Sequence, residues 1–219
     1  MSLAPAQLLR GLGLLALLAA WAVLAHLASA GDAHPDLATA LGIAPLVAII
    51  FMLLWPLLNG PSRLLGAGTA LGLIVGLWPS LRQNIALLYY VQHIGTNLAL
   101  ALFFGRTLFG GRLALVTRFA RMADGGVMSA NKERYTRQVT VAWTLFFVAT
   151  MFISTLLFWL APPTAWSIFA NLLSTPLLIL MFAGEHICRH FRLAPEERSS
   201  VADTIRGYRA TMQQTANKS

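Results

Sequence analysis

Six long apolar runs dominate this sequence, at about Leu8–Ala30, Leu41–Leu58, Leu64–Leu81, Ile85–Phe104, Val139–Leu160 and Ala165–Gly184. Each approaches or exceeds the ~18–20 residues that an α-helix needs to cross a ~30 Å hydrocarbon core. The composition agrees, with 57% hydrophobic residues and only 11% charged ones, against ~25% charged in soluble domains. In lipid every backbone polar group must be satisfied within the chain, so runs of this length form helices. The expected fold class is all-α, a polytopic helical membrane protein with six transmembrane helices. Its membrane domain covers residues 1–184, including a basic cytoplasmic loop over 105–138, and a basic cytoplasmic tail covers 185–219.

Charge sets the threading. In a six-span zigzag, fifteen of the sixteen Lys and Arg fall on one side and only Arg82 on the other. By the positive-inside rule the crowded side is cytoplasmic, which places both termini inside. The same rule accounts for the net charge of +8, so nucleic acid is not an expected partner. The connector Gly31–Ala40 has aspartates and no Lys or Arg, and Trp78, Trp159 and Trp166 fall at expected outer ends, where indoles favour the interface. Ala28–Ala30 followed by Gly31 fits an A-x-A cleavage site, although the preceding run exceeds the 7–15 residues of a usual signal-peptide core. Cleavage there would leave five spans and keep the orientation. With Cys188 as the only cysteine, no intrachain disulfide forms.

The fourth run carries a polar stripe. At 100° per residue Tyr89, Gln92, His93, Thr96 and Asn97 fall inside an arc of about 140°, with Val91, Ile94, Leu98 and Ala101 opposite. Such segregation points the stripe at other helices or a cavity. Two readings stand side by side. Interhelical hydrogen bonds average ~0.6 kcal/mol each. A ligand or proton site is the other, because a histidine with an ordinary pKa of ~6.5 changes charge with a modest shift. Asn171, Ser174 and Thr175 of the sixth run, followed by Pro176, are candidate polar partners, as are Glu185 and His186 at its inner end.

Between the fourth and fifth runs, a short amphipathic helix is expected in the segment 110–126. Leu113, Leu115, Val116, Phe119 and Met122 share one half of the wheel, Arg118 and Arg121 take the other, and Asp124 begins the stop. It would lie on the inner leaflet with arginines among phosphates. Arg106, Arg112, Arg118, Arg121, Arg134 and Arg137 are the candidate contacts for a lipid phosphate or an acidic carrier. Gly68, Gly72 and Gly76 form a small-residue ridge expected to pack the third run against the fourth.

Enzyme signatures are sparse. His186 and His190 share a helix face, but two histidines without further ligands make a weak metal site, so no metal or cofactor is expected. No G-x-S-x-G, P-loop, HExxH or GxGxxG stands in a suitable context. None of the eight acidic residues lies deep in a run, which argues against a pump built on a buried carboxylate.

Four blocks carry a resemblance: YYVQHIGTNLALALFFGRTL, RLALVTRFAR, RYTRQVTVAWTLFF and NLLSTPLLILMFAGEHICRHFRL. Together, over roughly Tyr89–Leu193, they resemble a family of bacterial inner-membrane proteins encoded among genes for aryl polyene or xanthomonadin-type pigment lipids. The resemblance implies an inner-membrane accessory protein for assembly or transport of an acyl or aryl-polyene lipid, with membrane lipids, an acyl carrier protein or lipid-assembly enzymes as partners. It assigns no activity. An intramembrane acyl or glycosyl lipid transferase with His93 or His186 as base, and a purely structural scaffold, remain the alternatives.

Overall fold

The computed structural model describes residues 5–31, 33–54, 59–124 and 128–194. Among them every regular element is a helix: α1 (Pro5–Ala30), α2 (Pro35–Leu54), α3 (Gly60–Gln83), α4 (Ile85–Gly105), α5 (Leu115–Ala123), α6 (Ala130–Leu160), α7 (Pro163–Ser167) and α8 (Ser174–Arg192). A 3-10 turn, Arg106–Leu108, follows α4, and a π-helical turn, Ile168–Leu173, joins α7 to α8. Four helical stretches are long and apolar enough to cross a membrane: Gly60–Gln83, Ile85–Leu108, Ala130–Leu160 and Pro163–Arg192. Shorter apolar stretches, Ala19–Ala30 and Pro35–Ala48, lie within α1 and α2. The chain is thus a helical protein with membrane-length apolar helices.

Local chemistry explains the boundaries. Gly31, at φ +96°, ends α1 in the left-handed region that glycine tolerates. Pro35 then opens α2, where its missing N–H costs nothing. The expected outer connector over Gly31–Ala40 therefore shrinks to the few residues before Pro35, because His34 O already accepts from Ala38 N at 3.0 Å. Asn59 and Ser62 make a reciprocal capping box at the start of α3. Pro176 removes a backbone donor from α8, and just upstream the helix widens so that Ser174 N bonds Phe169 O, an i→i−5 bond.

Two helices extend beyond the apolar runs they contain. The loop over 105–138 gives up its last residues to α6, which begins at Ala130 and carries Arg134 and Arg137 on its first turns. α8 continues to Arg192, so the first residues of the expected tail are helical. The end of the second run (55–58), the glycines after Asp124 and the tail beyond residue 194 fall outside the described residues.

The chain divides into two compact units. Unit 1 comprises Met1–His93 and Ser154–Thr175. Its core joins Ala25 and Ala28 of α1, Ala38 of α2, Tyr89 of α4, and Trp166 and Ala170. Alanines at these positions let helices approach closely, and the space is filled by aromatic rings, with Tyr90 stacked on Phe158 at 4.2 Å. Trp166 is 1% exposed and donates to Ser154 Oγ at 3.0 Å. It is a core residue and not an interfacial indole, because its N–H finds a protein partner in place of a headgroup.

α3 differs from its neighbours in having no buried residue. A Cβ built on Gly68, Gly72 or Gly76 meets nothing within 4 Å, so the ridge does not pack against α4 among the described residues. The attachment of α3 is polar and lies at its C-terminal end, where Trp78 Nε1 donates to Asp36 Oδ1 at 3.1 Å and Arg82 pairs with the same oxygen at 3.2 Å.

Unit 2 comprises Ile94–Ile153 and Pro176–Ser219. Its core is aromatic: Tyr135, Trp143 and Phe147 of α6 pack with Phe104 of α4, Ala101 and Leu193. Ala101, expected on the outward face of α4, is buried here, since a small residue lets α6 approach.

Candidate functional site

The polar stripe of α4 resolves into separate roles. Tyr89 is buried and donates to Ala38 O at 3.2 Å, and Gln92 Nε2 donates to Gly42 O at 2.7 Å. Both groups thus bond α2 backbone, the interhelical bonding open to them from the sequence. His93 packs its ring edge-on to Phe169 at 6.2 Å with Nε2 buried. Thr96 is exposed and Asn97 half-buried, and both belong to unit 2.

Asn171 does not meet the stripe. Its Nδ2 donates to Ser29 Oγ at 2.9 Å and to Ser167 Oγ at 3.2 Å. Ser174 Oγ turns back onto Phe169 O at 3.1 Å, and Thr175 is exposed. The hydroxyl of Ser174 is absorbed by the same carbonyl that accepts from Ser174 N in the π turn, which a helical wheel at 100° per residue cannot foresee.

A cluster that the sequence reading left unassigned sits around Ser167. His26 Nδ1 lies 2.7 Å from Ser167 Oγ, Ser29 Oγ also lies 2.7 Å from it, and Ser167 donates to His26 O at 3.0 Å. A serine beside a histidine is the form of an activated nucleophile. Here Ser167 is 0% exposed and four groups converge on its oxygen. Ser167 is thus a buried junction of hydrogen bonds that joins His26 and Ser29 of α1 to Asn171. The cluster closes α1 onto α7. Its sequence signal is weak: Ala25, Ala28 and Ser29 form a small-residue face on α1.

In unit 2, α5 is clasped to α6. Leu115 N donates to Thr107 Oγ1, Val116 N to Thr140 Oγ1, and the Thr117 and Thr136 hydroxyls meet at 2.9 Å. Arg121 donates to Glu133 at 2.9 Å, and Lys132 pairs with Asp124 at 2.6 Å. The face of α5 turned to the protein is therefore Leu115, Thr117 and Ala120. Leu113 and Phe119 are left exposed, as is Phe109.

The six arginines divide accordingly. Arg121 is held by Glu133, Arg137 donates to Leu108 O at 3.0 Å, and Arg106 lies over the Phe103 ring at 5.5 Å. Arg112, Arg118 and Arg134 are exposed, and their side chains make no hydrogen bond or ion pair among the described residues.

At the other end of α8, Glu185 is fully engaged. Tyr135 donates its hydroxyl to Glu185 Oε1 at 3.1 Å, and Arg189 Nη2 reaches Oε1 and Oε2 at 2.8 and 2.9 Å. The His186 and His190 rings meet at 4.4 Å with their planes tilted by 57°, and His190 Nδ1–H donates to His186 O. Among the described residues no group of three or more His, Cys, Asp or Glu is placed to hold a metal ion. Between α6 and α8 an open groove of about 330 Å³ runs beside Val139, Ala142, Leu180, Met181 and Gly184 to Arg192.

No family model, curated protein or solved structure matches this chain.

Proposed function

We propose that this chain is a multi-pass protein of the bacterial inner membrane, with six spans and both termini cytoplasmic. It serves as an accessory in the assembly or movement of an acyl or aryl-polyene-type lipid. The observation that carries the reading is the set of uncommitted arginines, Arg112, Arg118 and Arg134, on a segment also exposing Phe109, Leu113 and Phe119. Arginines beside exposed apolar side chains suit a headgroup layer, and equally the acidic surface of a carrier that delivers an acyl chain there. The clasp of α5 to α6 makes this platform rigid, so a partner meets it without ordering a loop.

Threading supports the same reading. Fifteen basic residues fall on the proposed inner side, and Arg82, the exception, has its charge offset by Asp36 at 3.2 Å. The resemblance over Tyr89–Leu193 supplies the lipid class.

The test is the triple change Arg112→Glu, Arg118→Glu and Arg134→Glu, introduced into a deletion strain. Membrane levels are measured by immunoblot and extracted lipids by mass spectrometry. The expected outcome is a wild-type level of protein with the lipid profile of the deletion. A fully restored profile would remove the platform from the function.

A further inference from the structure

The groove between α6 and α8 has the shape and charge of a ligand site. Its walls are apolar: Val139 and Ala142 from α6, Leu180, Met181 and Gly184 from α8. One end is polar. There Glu185 is neutralised by Arg189 in a two-oxygen pairing and also accepts from Tyr135. Arg192 lines the same end, is exposed, and has a guanidinium with no hydrogen bond or ion pair among the described residues. The balance is one unopposed positive charge at the end of an apolar trough.

Size decides the occupant. From Leu180 to Arg192 the helix rises roughly 18 Å, close to half of a ~30 Å hydrocarbon core. A helix of that length and ~10 Å diameter occupies roughly 1,400 Å³, several times the groove's 330 Å³. A single flexible chain can lie within the groove, whereas a helix could only rest along its open side.

We propose that this groove binds one acyl chain of an anionic phospholipid of the inner leaflet, with the headgroup phosphate at Arg192. The proposal rests on the membrane placement given above, with the Arg192 end at the cytoplasmic face. It does not depend on the arginines of the α5 platform.

The protein supplies its own probe. Cys188 is the only cysteine in the chain, is exposed, and lines the groove. Gly184 supplies the block, because it lines the groove and a Cβ built there meets nothing within 4 Å, so Gly184→Leu puts a bulky side chain into the trough from an unobstructed root. Full-length protein in neutral detergent is alkylated with N-ethylmaleimide, alone and with added phosphatidylglycerol or phosphatidylcholine.

Phosphatidylglycerol is expected to slow alkylation at least fivefold, and phosphatidylcholine distinctly less. Gly184→Leu brings the ratio of rates with and without lipid to one. Arg192→Gln removes the preference for phosphatidylglycerol and keeps the residual protection. Equal rates with and without phosphatidylglycerol in the wild type overturn the proposal, as does protection that survives Gly184→Leu. Protection that follows protein concentration instead of lipid would assign the groove to a second copy, and also overturns it. None of these results bears on the lipid profile of the arginine triple variant, so the two readings fail separately.

Discussion

Removing the partner of Lys132 tests whether the basic platform is fixed by a buried ion pair. The Lys132 side chain is 5% exposed and that of Asp124 20%, with Nζ and Oδ2 2.6 Å apart. Taking away one member of a buried pair costs about 3–5 kcal/mol, because the remaining charge is left without compensation. Asp124→Ala strands the deeper charge and is expected to cost about 3 kcal/mol. Lys132→Met strands a carboxylate that still reaches water, at the C-terminal end of α5 where the helix dipole disfavours it. Its expected cost is smaller, about 1–2 kcal/mol.

Replacing both, Asp124→Ala with Lys132→Met, removes the pair together with its desolvation and is expected to cost less than Asp124→Ala alone. The coupling energy of the cycle is then about 2 kcal/mol. Unfolding in mixed micelles, followed by circular dichroism, gives the four stabilities. Trypsin cleavage after Arg118 reports the release of α5 and is expected to accelerate in Asp124→Ala. Additive single effects, or a cost of Asp124→Ala below about 1 kcal/mol, would refute the reasoning.

Three further substitutions probe the packing, Gly42→Ala and Ser167→Ala in unit 1 and Gly95→Ala in unit 2. A Cβ at Gly42 would stand 2.8 Å from Leu88 Cδ2 and 3.1 Å from Tyr89 Cε2. The Leu88 methyl can swing aside but the hydrogen-bonded Tyr89 ring cannot, so Gly42→Ala should lose about 1–3 kcal/mol in the same unfolding assay. Gly95→Ala, where a Cβ meets nothing, should gain up to about 1 kcal/mol. Ser167→Ala breaks the convergence of His26, Ser29 and Asn171 and is expected to lose about 1–2 kcal/mol, while the extracted lipid profile stays wild-type. A changed profile from a stably accumulated Ser167→Ala protein would restore the nucleophile reading.

Much of the helical architecture was legible in the sequence because its cause is local. Apolar length marks a helix wherever lipid is the solvent, and the runs at Leu64–Leu81 and Ile85–Phe104 lie within α3 and α4. The ends set by Gly31, Pro35 and the Asn59–Ser62 box also have local causes, but in the sequence Gly31–Ala40 reads as one connector, and the structure was needed to place them. Periodicity also singled out the stripe of α4, and Tyr89 and Gln92 do turn toward another helix.

What the sequence by itself determined was helical content, membrane-length runs and the uneven distribution of charge, all consequences of residues near one another in the chain. Tertiary structure decided the pairings. Asn171 bonds Ser29 across a separation of 142 residues and Ser167 meets His26 across 141, and nothing local distinguishes these partners from the stripe of α4. It also decided which arginines remain free, since Arg121 and Arg118 look alike on a helical wheel and only Arg121 finds a carboxylate. The groove beside Gly184 belongs to this second kind. Its walls come from two helices, and a gap between side chains exists only once the helices have packed.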